Sequence, residues 1–126
     1  MAYVKSVVKI NKGVLKKLTR AQITALEKTA EDILENVRQS QVIPRDTGTL
    51  QNEGTFVDYS KSAQGSCSIV SATPYARRLY YHPEYDFSKD ENPNARGKWF
   101  EPWANGDKKE RVRELYKIHY REEAGL

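Results

Sequence analysis

Thr19-Arg20-Ala21-Gln22-Ile23-Thr24-Ala25-Leu26-Glu27-Lys28-Thr29-Ala30-Glu31-Asp32-Ile33-Leu34-Glu35-Asn36-Val37-Arg38 is the stretch whose reading decides the fold. Ile23, Leu26, Ala30, Ile33, Leu34 and Val37 recur at helical spacing and form one apolar stripe. Glu27, Lys28, Glu31, Asp32, Glu35 and Arg38 mostly fall outside it. Thr19 suits the N-cap, where a side-chain oxygen accepts from an otherwise orphaned backbone N–H. The pattern predicts a helix over 19–41, fading near Gln41 because Pro44 disfavours helical backbone in the residue before it. Such a stripe needs a second apolar surface to lie on, and the flanking sequence offers strands.

On the N-terminal side, Val4, Val8 and Ile10 share one face of a strand with Ser6, while Tyr3, Lys5, Val7 and Lys9 share the other. Asn11-Lys12-Gly13 then signals a turn. On the C-terminal side, Asp46-Thr47-Gly48 reads as a turn in which Asp and Thr bond nearby backbone N–H groups and Gly tolerates positive φ. Residues 55–59 and 66–72 are rich in strand-forming types, and the polar Ser60–Gly65 linker joins them as a hairpin. Thr73-Pro74 resembles an N-cap followed by Pro at the first helical position. Residues 75–81 continue as a short helix or an irregular strand. Residues 83–97 read as a long polar loop, a kind of segment that is commonly functional. Asp107 and Glu110 make a capping-box-like pair before a last helix lined by Val112, Leu115, Tyr116 and His119, with Gly125 as its stop. The expected fold class is α+β: a long N-terminal amphipathic helix and a C-terminal helix packed on a small, mainly antiparallel sheet. Residues 1–126 form a single domain: a basic strand and turn (1–18), a helix (19–41), a turn motif (44–54), a hairpin (55–72), an aromatic segment with a long loop (73–103) and a helix (107–124).

With 126 residues the chain is long enough for one core. Its 38% apolar content is lean for a stand-alone domain, which suits a subunit that completes its burial against copies of itself. The net charge of +4 is mild, but Lys5, Lys9, Lys12, Lys16, Lys17 and Arg20 all precede the first acid, Glu27. That local basicity suits either a solvated face or contact with a polyanion. The single Cys67 excludes an internal disulfide and a zinc knuckle. No apolar stretch approaches 18 residues and the start lacks a signal-peptide apolar region, so folding in a cytoplasm is expected and no membrane partner.

No catalytic constellation is legible. His82 and His119, the only histidines, lack the spacing that puts two ligands on one helical face. There is no G-x-S-x-G elbow and no phosphate-cradling glycine loop, and Cys67 in an alternating strand reads as a small buried apolar side chain. Asp46, Asp58 and Glu84, candidates for a nuclease metal, have no recognisable spacing. No enzyme, cofactor or metal is expected. The aromatic segment carries more. Tyr75, Tyr80, Tyr81, Tyr85, Phe87, Trp99, Phe100 and Trp103 are interleaved with Arg77, Arg78, Arg96 and Lys98, and Tyr, Trp and Arg are the types enriched at interface hot spots. Tyr75, Tyr81, Tyr85, Phe87, Trp99, Phe100 and Trp103 are therefore candidate subunit-interface residues. A small satellite core that clamps the long loop is the alternative, above all for Tyr75 and Trp99.

Pro44-x-Asp46-Thr47-Gly48-x-Leu50 after an amphipathic helix resembles the P-x-D-T-G-x-L element of minor capsid and head–tail connector proteins of tailed bacteriophages. The family's pattern continues with a hairpin and then T-P-Y-A-R, matched by Thr73, Pro74, Tyr75, Ala76 and Arg77, followed by an aromatic stretch and a C-terminal helix. Asn92-Pro93-Asn94-Ala95-Arg96-Gly97-Lys98-Trp99-Phe100-Glu101-Pro102 is similar to the version in phages of Gram-positive bacteria. The resemblance covers Thr19 to Leu126, in order. It implies a structural virion subunit without catalysis that assembles with itself into a ring at the neck, between portal and tail. Its partners would be portal, adaptor, stopper or tail proteins, its site the virion neck, and its place of assembly the bacterial cytoplasm. In that frame Pro44, Asp46, Thr47, Gly48 and Leu50 form a structural turn motif, and Lys5, Lys9 and Lys12 are candidates to face DNA in the channel. A small phage DNA-binding or nuclease-like protein is the alternative reading, and a host adaptor module a third.

Overall fold

The computed structural model describes residues 4–9, 19–43, 54–73, 76–85, 87 and 94–126. It is α+β. Strand β1 (Val4–Lys9) leads to helix α1 (Arg20–Gln39), strands β2 (Thr55–Asp58) and β3 (Ser66–Ser71), short helices α2 (Ala76–Tyr80) and α3 (Glu101–Ala104), and a last helix α4 (Lys109–Ala124). The 20-residue helix is thus not N-terminal, as expected from the sequence, but begins at Arg20 after a strand. Residues 4–9 alternate buried and exposed and pair with β3 as a strand.

Thr19 caps α1 through a reciprocal box: its Oγ1 accepts from the Gln22 N–H at 3.2 Å, and Gln22 Oε1 accepts from the Thr19 N–H at 2.8 Å. The helix ends when Gln41 turns to a φ of +57°, with Ser40 N–H bonded to the Asn36 carbonyl at 2.9 Å. Along the buried stripe, Thr29 is the one polar member, and its hydroxyl donates to the Ala25 carbonyl at 2.7 Å.

The sheet is antiparallel with strand order β1-β3-β2. Its inner face carries the rows Val4–Ser71–Thr55 and Ser6–Ile69–Val57, and its outer face Lys5–Val70–Phe56 and Val7–Ser68–Asp58. Ile69, Val4 and Val57 meet Ile33, Leu34 and Val37 of α1 in the main core, while Cys67 meets Leu26 and Ala30 in a smaller cluster. The hairpin is also tied to the outer side of α1, where the Ser62 hydroxyl donates to Glu27 at 2.6 Å.

Helix α4 packs along α1 through Leu115, Val112 and Tyr116, with His119 against Asp32 and Lys28 against Glu123. Asp107 does not cap it, contrary to the sequence expectation. The helix begins at Lys109 with Lys108 in the cap position and no side-chain cap bond, because the turn after α3 directs the Lys108 N–H to the Pro102 carbonyl at 2.9 Å. At its far end Gly125 adopts a φ of +74° and lets Leu126 N–H reach the Arg121 carbonyl at 2.8 Å.

Thr19→Ala removes the acceptor of the capping box. It is expected to destabilise the protein by about 1 kcal/mol, read as a lowered urea midpoint with an unchanged slope.

Candidate functional site

The aromatic segment divides into two populations. Trp99, Phe100 and Trp103 are only 0%, 2% and 3% exposed and belong to the main core. Their assignment to a subunit interface is corrected: they are spent on closing the fold. Tyr80 meets the Trp99 ring edge-on at 4.8 Å between centroids. The Trp99 indole N–H donates to Ser71 Oγ at 3.3 Å, and Ser71 Oγ lies 2.8 Å from the buried Thr55 hydroxyl. Lys108 Nζ sits 4.6 Å from the centre of the Trp103 ring, a cation–π contact. The Trp103 indole N–H is buried with no acceptor.

The second population faces solvent. Tyr81 is 55% exposed and Tyr85 36%. Tyr85 stacks on His82 with ring centroids 4.7 Å apart and lies 6.4 Å from the ring of the half-buried Phe87. Arg78 reaches the Tyr85 hydroxyl at 3.5 Å. His82 also bonds Glu84 at 2.8 Å, a contact that holds the Glu84 carboxyl below its ordinary range. Tyr85 and Phe87 therefore lie side by side near the start of the long polar segment and Tyr81 is exposed just before them, whereas Tyr75 lies outside the described residues.

That segment leaves and returns at one point. A Cβ at Gly97 would lie 2.7 Å from Pro83 Cα, so only glycine allows the two legs to touch there. Lys98 N–H bonds the Tyr80 carbonyl at 2.8 Å. The returning leg is pinned to the end of α1: Asn94 Nδ2 donates to the Ser40 carbonyl and Arg96 N–H to the Val42 carbonyl, each at 2.9 Å. Ala95 and Gly97 are buried. Residues 94–97 form no helix or strand, so they belong to a loop that is pinned at this end.

Lys5 and Lys9 are exposed on the outer face of β1. Lys12 and the turn motif Pro44, Asp46, Thr47, Gly48 and Leu50 lie outside the described residues. Cys67 is buried among Leu26 and Ala30, and burial pushes its thiol up to about 11. Among the described residues no group of three or more His, Cys, Asp or Glu is placed to hold a metal ion.

One feature has no signal in the sequence. β3 pairs with β1, and β1 lines a groove of about 560 Å³. Five consecutive β1 residues, Lys5 to Lys9, line it. Leu26, Tyr80, Phe100, Trp103 and Tyr116 supply apolar walls from four separate helical regions, and Lys109 and Arg113 of α4 stand on the rim.

No protein-family model, curated protein or solved structure matches this chain.

Trp99→Ala is expected to cost about 3–5 kcal/mol, by cavity formation and loss of the donor to Ser71, whereas Tyr81→Ala stays within about 0.5 kcal/mol; chemical denaturation of the two variants checks the division of the aromatics. Native Cys67 should not react with a soluble disulfide reagent at pH 8 and should react stoichiometrically in denaturant.

Proposed function

We propose that this chain is a structural subunit of the neck of a tailed bacteriophage, one copy of a ring between portal and tail. The observation that carries the reading is the ordered set of sequence elements: amphipathic helix, Pro44-to-Leu50 turn, hairpin, Thr73-to-Arg77, aromatic stretch and C-terminal helix. The helices and the hairpin of the fold support it by following in that order. So do the exposed Tyr81 and Tyr85, the latter beside the half-buried Phe87, which offer assembly contacts at no expense to the core. Its function is to join head to tail, with no cofactor and no reaction, as an adaptor, stopper or tail-completion layer. Assembly takes place in the bacterial cytoplasm, and no helix among the described residues is long and apolar enough to cross a membrane.

A second reading, a small DNA-binding protein, draws on the exposure of both Lys5 and Lys9. In the ring the same lysines would face packaged DNA through non-specific phosphate contacts.

Cryo-electron microscopy of the virion neck from the encoding phage tests the proposal. A closed ring of density that fits this subunit is expected. Absence of the protein from mature particles, together with salt-dependent DNA affinity of the purified chain, would replace the proposal with the DNA-binding reading.

A further inference from the structure

We infer that the groove between β1 and α4 binds a small amphipathic anion, a molecule with an apolar body and one anionic head. Size is the first observation that selects this class. At about 560 Å³ the groove falls within the roughly 300–1,000 Å³ typical of small-molecule sites. The lining is the second. Leu26, Tyr80, Phe100, Trp103, Val112 and Tyr116 bring apolar surface from four helical regions to one place. The polar atoms among them offer hydrogens. The Tyr80 phenol accepts from the Phe100 N–H and is pushed up to about 12, chiefly by burial, so at neutral pH it keeps a proton to donate. Burial raises the Tyr116 phenol as well.

The sign of the charge is the third. Lys9, Lys109 and Arg113 line the groove, and among the described residues no carboxylate does. Neither Lys9 nor Lys109 enters an ion pair among the described residues. Arg113 keeps only a loose contact with Glu110 at 3.7 Å, and both side chains are more than half exposed, so the pair neutralises little. The carboxylates of α1 are engaged on other sides of the helix: Glu27 with Ser62, Glu31 with Tyr59 and Asp32 with His119. A cationic concavity with apolar walls focuses its field and concentrates anions. Lys109 and Arg113 stand four residues apart, side by side on one helix face, and form the seat for the head. The aromatic walls take the body. A nucleic-acid duplex meets the cations equally well but leaves those walls uncovered, so the combination favours the small amphipath. The inference stands apart from the neck reading and needs no second copy of the chain.

The test titrates decanoate into the full-length protein and follows heat and tryptophan fluorescence, since Trp103 lines the groove. Saturable binding of one decanoate per chain is expected. Decyltrimethylammonium, the same chain with a cationic head, should bind on the order of tenfold more weakly or worse. Lys109→Glu/Arg113→Glu should reverse that preference, with folding checked by circular dichroism; both residues are exposed, so the core is untouched. Ala104→Phe, at an exposed position that lines the groove, should block both ligands without altering the charge. The inference is overturned by the absence of saturable binding, by equal affinity for the two head groups, or by decanoate affinity that neither variant changes. It is also overturned if duplex DNA displaces decanoate from the parent protein, or if the parent forms a concentration-dependent dimer that Ala104→Phe dissolves, because either result gives the groove a different occupant.

Discussion

The structure depends on one buried contact, the indole of Trp99 against the central strand. β3 is enclosed by β1 and β2, and its inner-face residue Ser71 is fully buried beside an equally buried Thr55. Buried hydroxyls that lose a hydrogen-bond partner cost about 1–3 kcal/mol each. Trp99 covers them with its ring and donates its N–H to Ser71, so apolar burial and polar satisfaction come from one side chain. The contact also joins residues far apart in sequence, and so sets where the chain must return after its long polar excursion.

From that return point the rest of the C-terminal half is positioned. Tyr80 packs edge-on against Trp99, Lys98 bonds the Tyr80 carbonyl, and Gly97 lies against Pro83. These three contacts close the base of the excursion and leave Tyr81, Tyr85 and Glu84 outside it. Phe100 and Trp103 then cap the core and turn the chain into α4. Because the aromatics close the end of the sandwich, Tyr80, Phe100 and Trp103 also line a groove with β1 and α4.

The seam between α1 and α4 follows a different logic. Leu115 is the one buried residue among those described in α4, and the polar pairs His119–Asp32 and Lys28–Glu123 flank it. Partly exposed pairs of this kind add little stability each, typically less than about 1 kcal/mol. They set the rotation of α4 on α1, which in turn aims Lys109 and Arg113 at the groove.

Periodicity made the elements legible in the sequence. The stripe from Leu26 to Val37, the cap at Thr19, the hairpin between residues 55 and 71 and the stop at Gly125 are all local patterns, imposed by the geometry of helix, strand and turn. The burial of Cys67 follows from the same alternation. Residue type also marked 75–103 as the segment that matters most, but could not divide it. A tryptophan is equally at home in a core and at an interface, since both remove its ring from water, and only the packing of distant elements decides between them for Trp99, Phe100 and Trp103. Asp107 failed as a cap for a similar reason: a competing backbone bond from Lys108 to Pro102 shifted the helix start. The groove had no signal at all, because its walls come from β1, α1, α2, α3 and α4, and a concave surface belongs to no single stretch of chain. By itself the sequence determined the helical and extended segments, through spacing that any local window contains. The tertiary structure alone decided which aromatics are hidden, because burial is set by what packs against a residue and not by the residue itself.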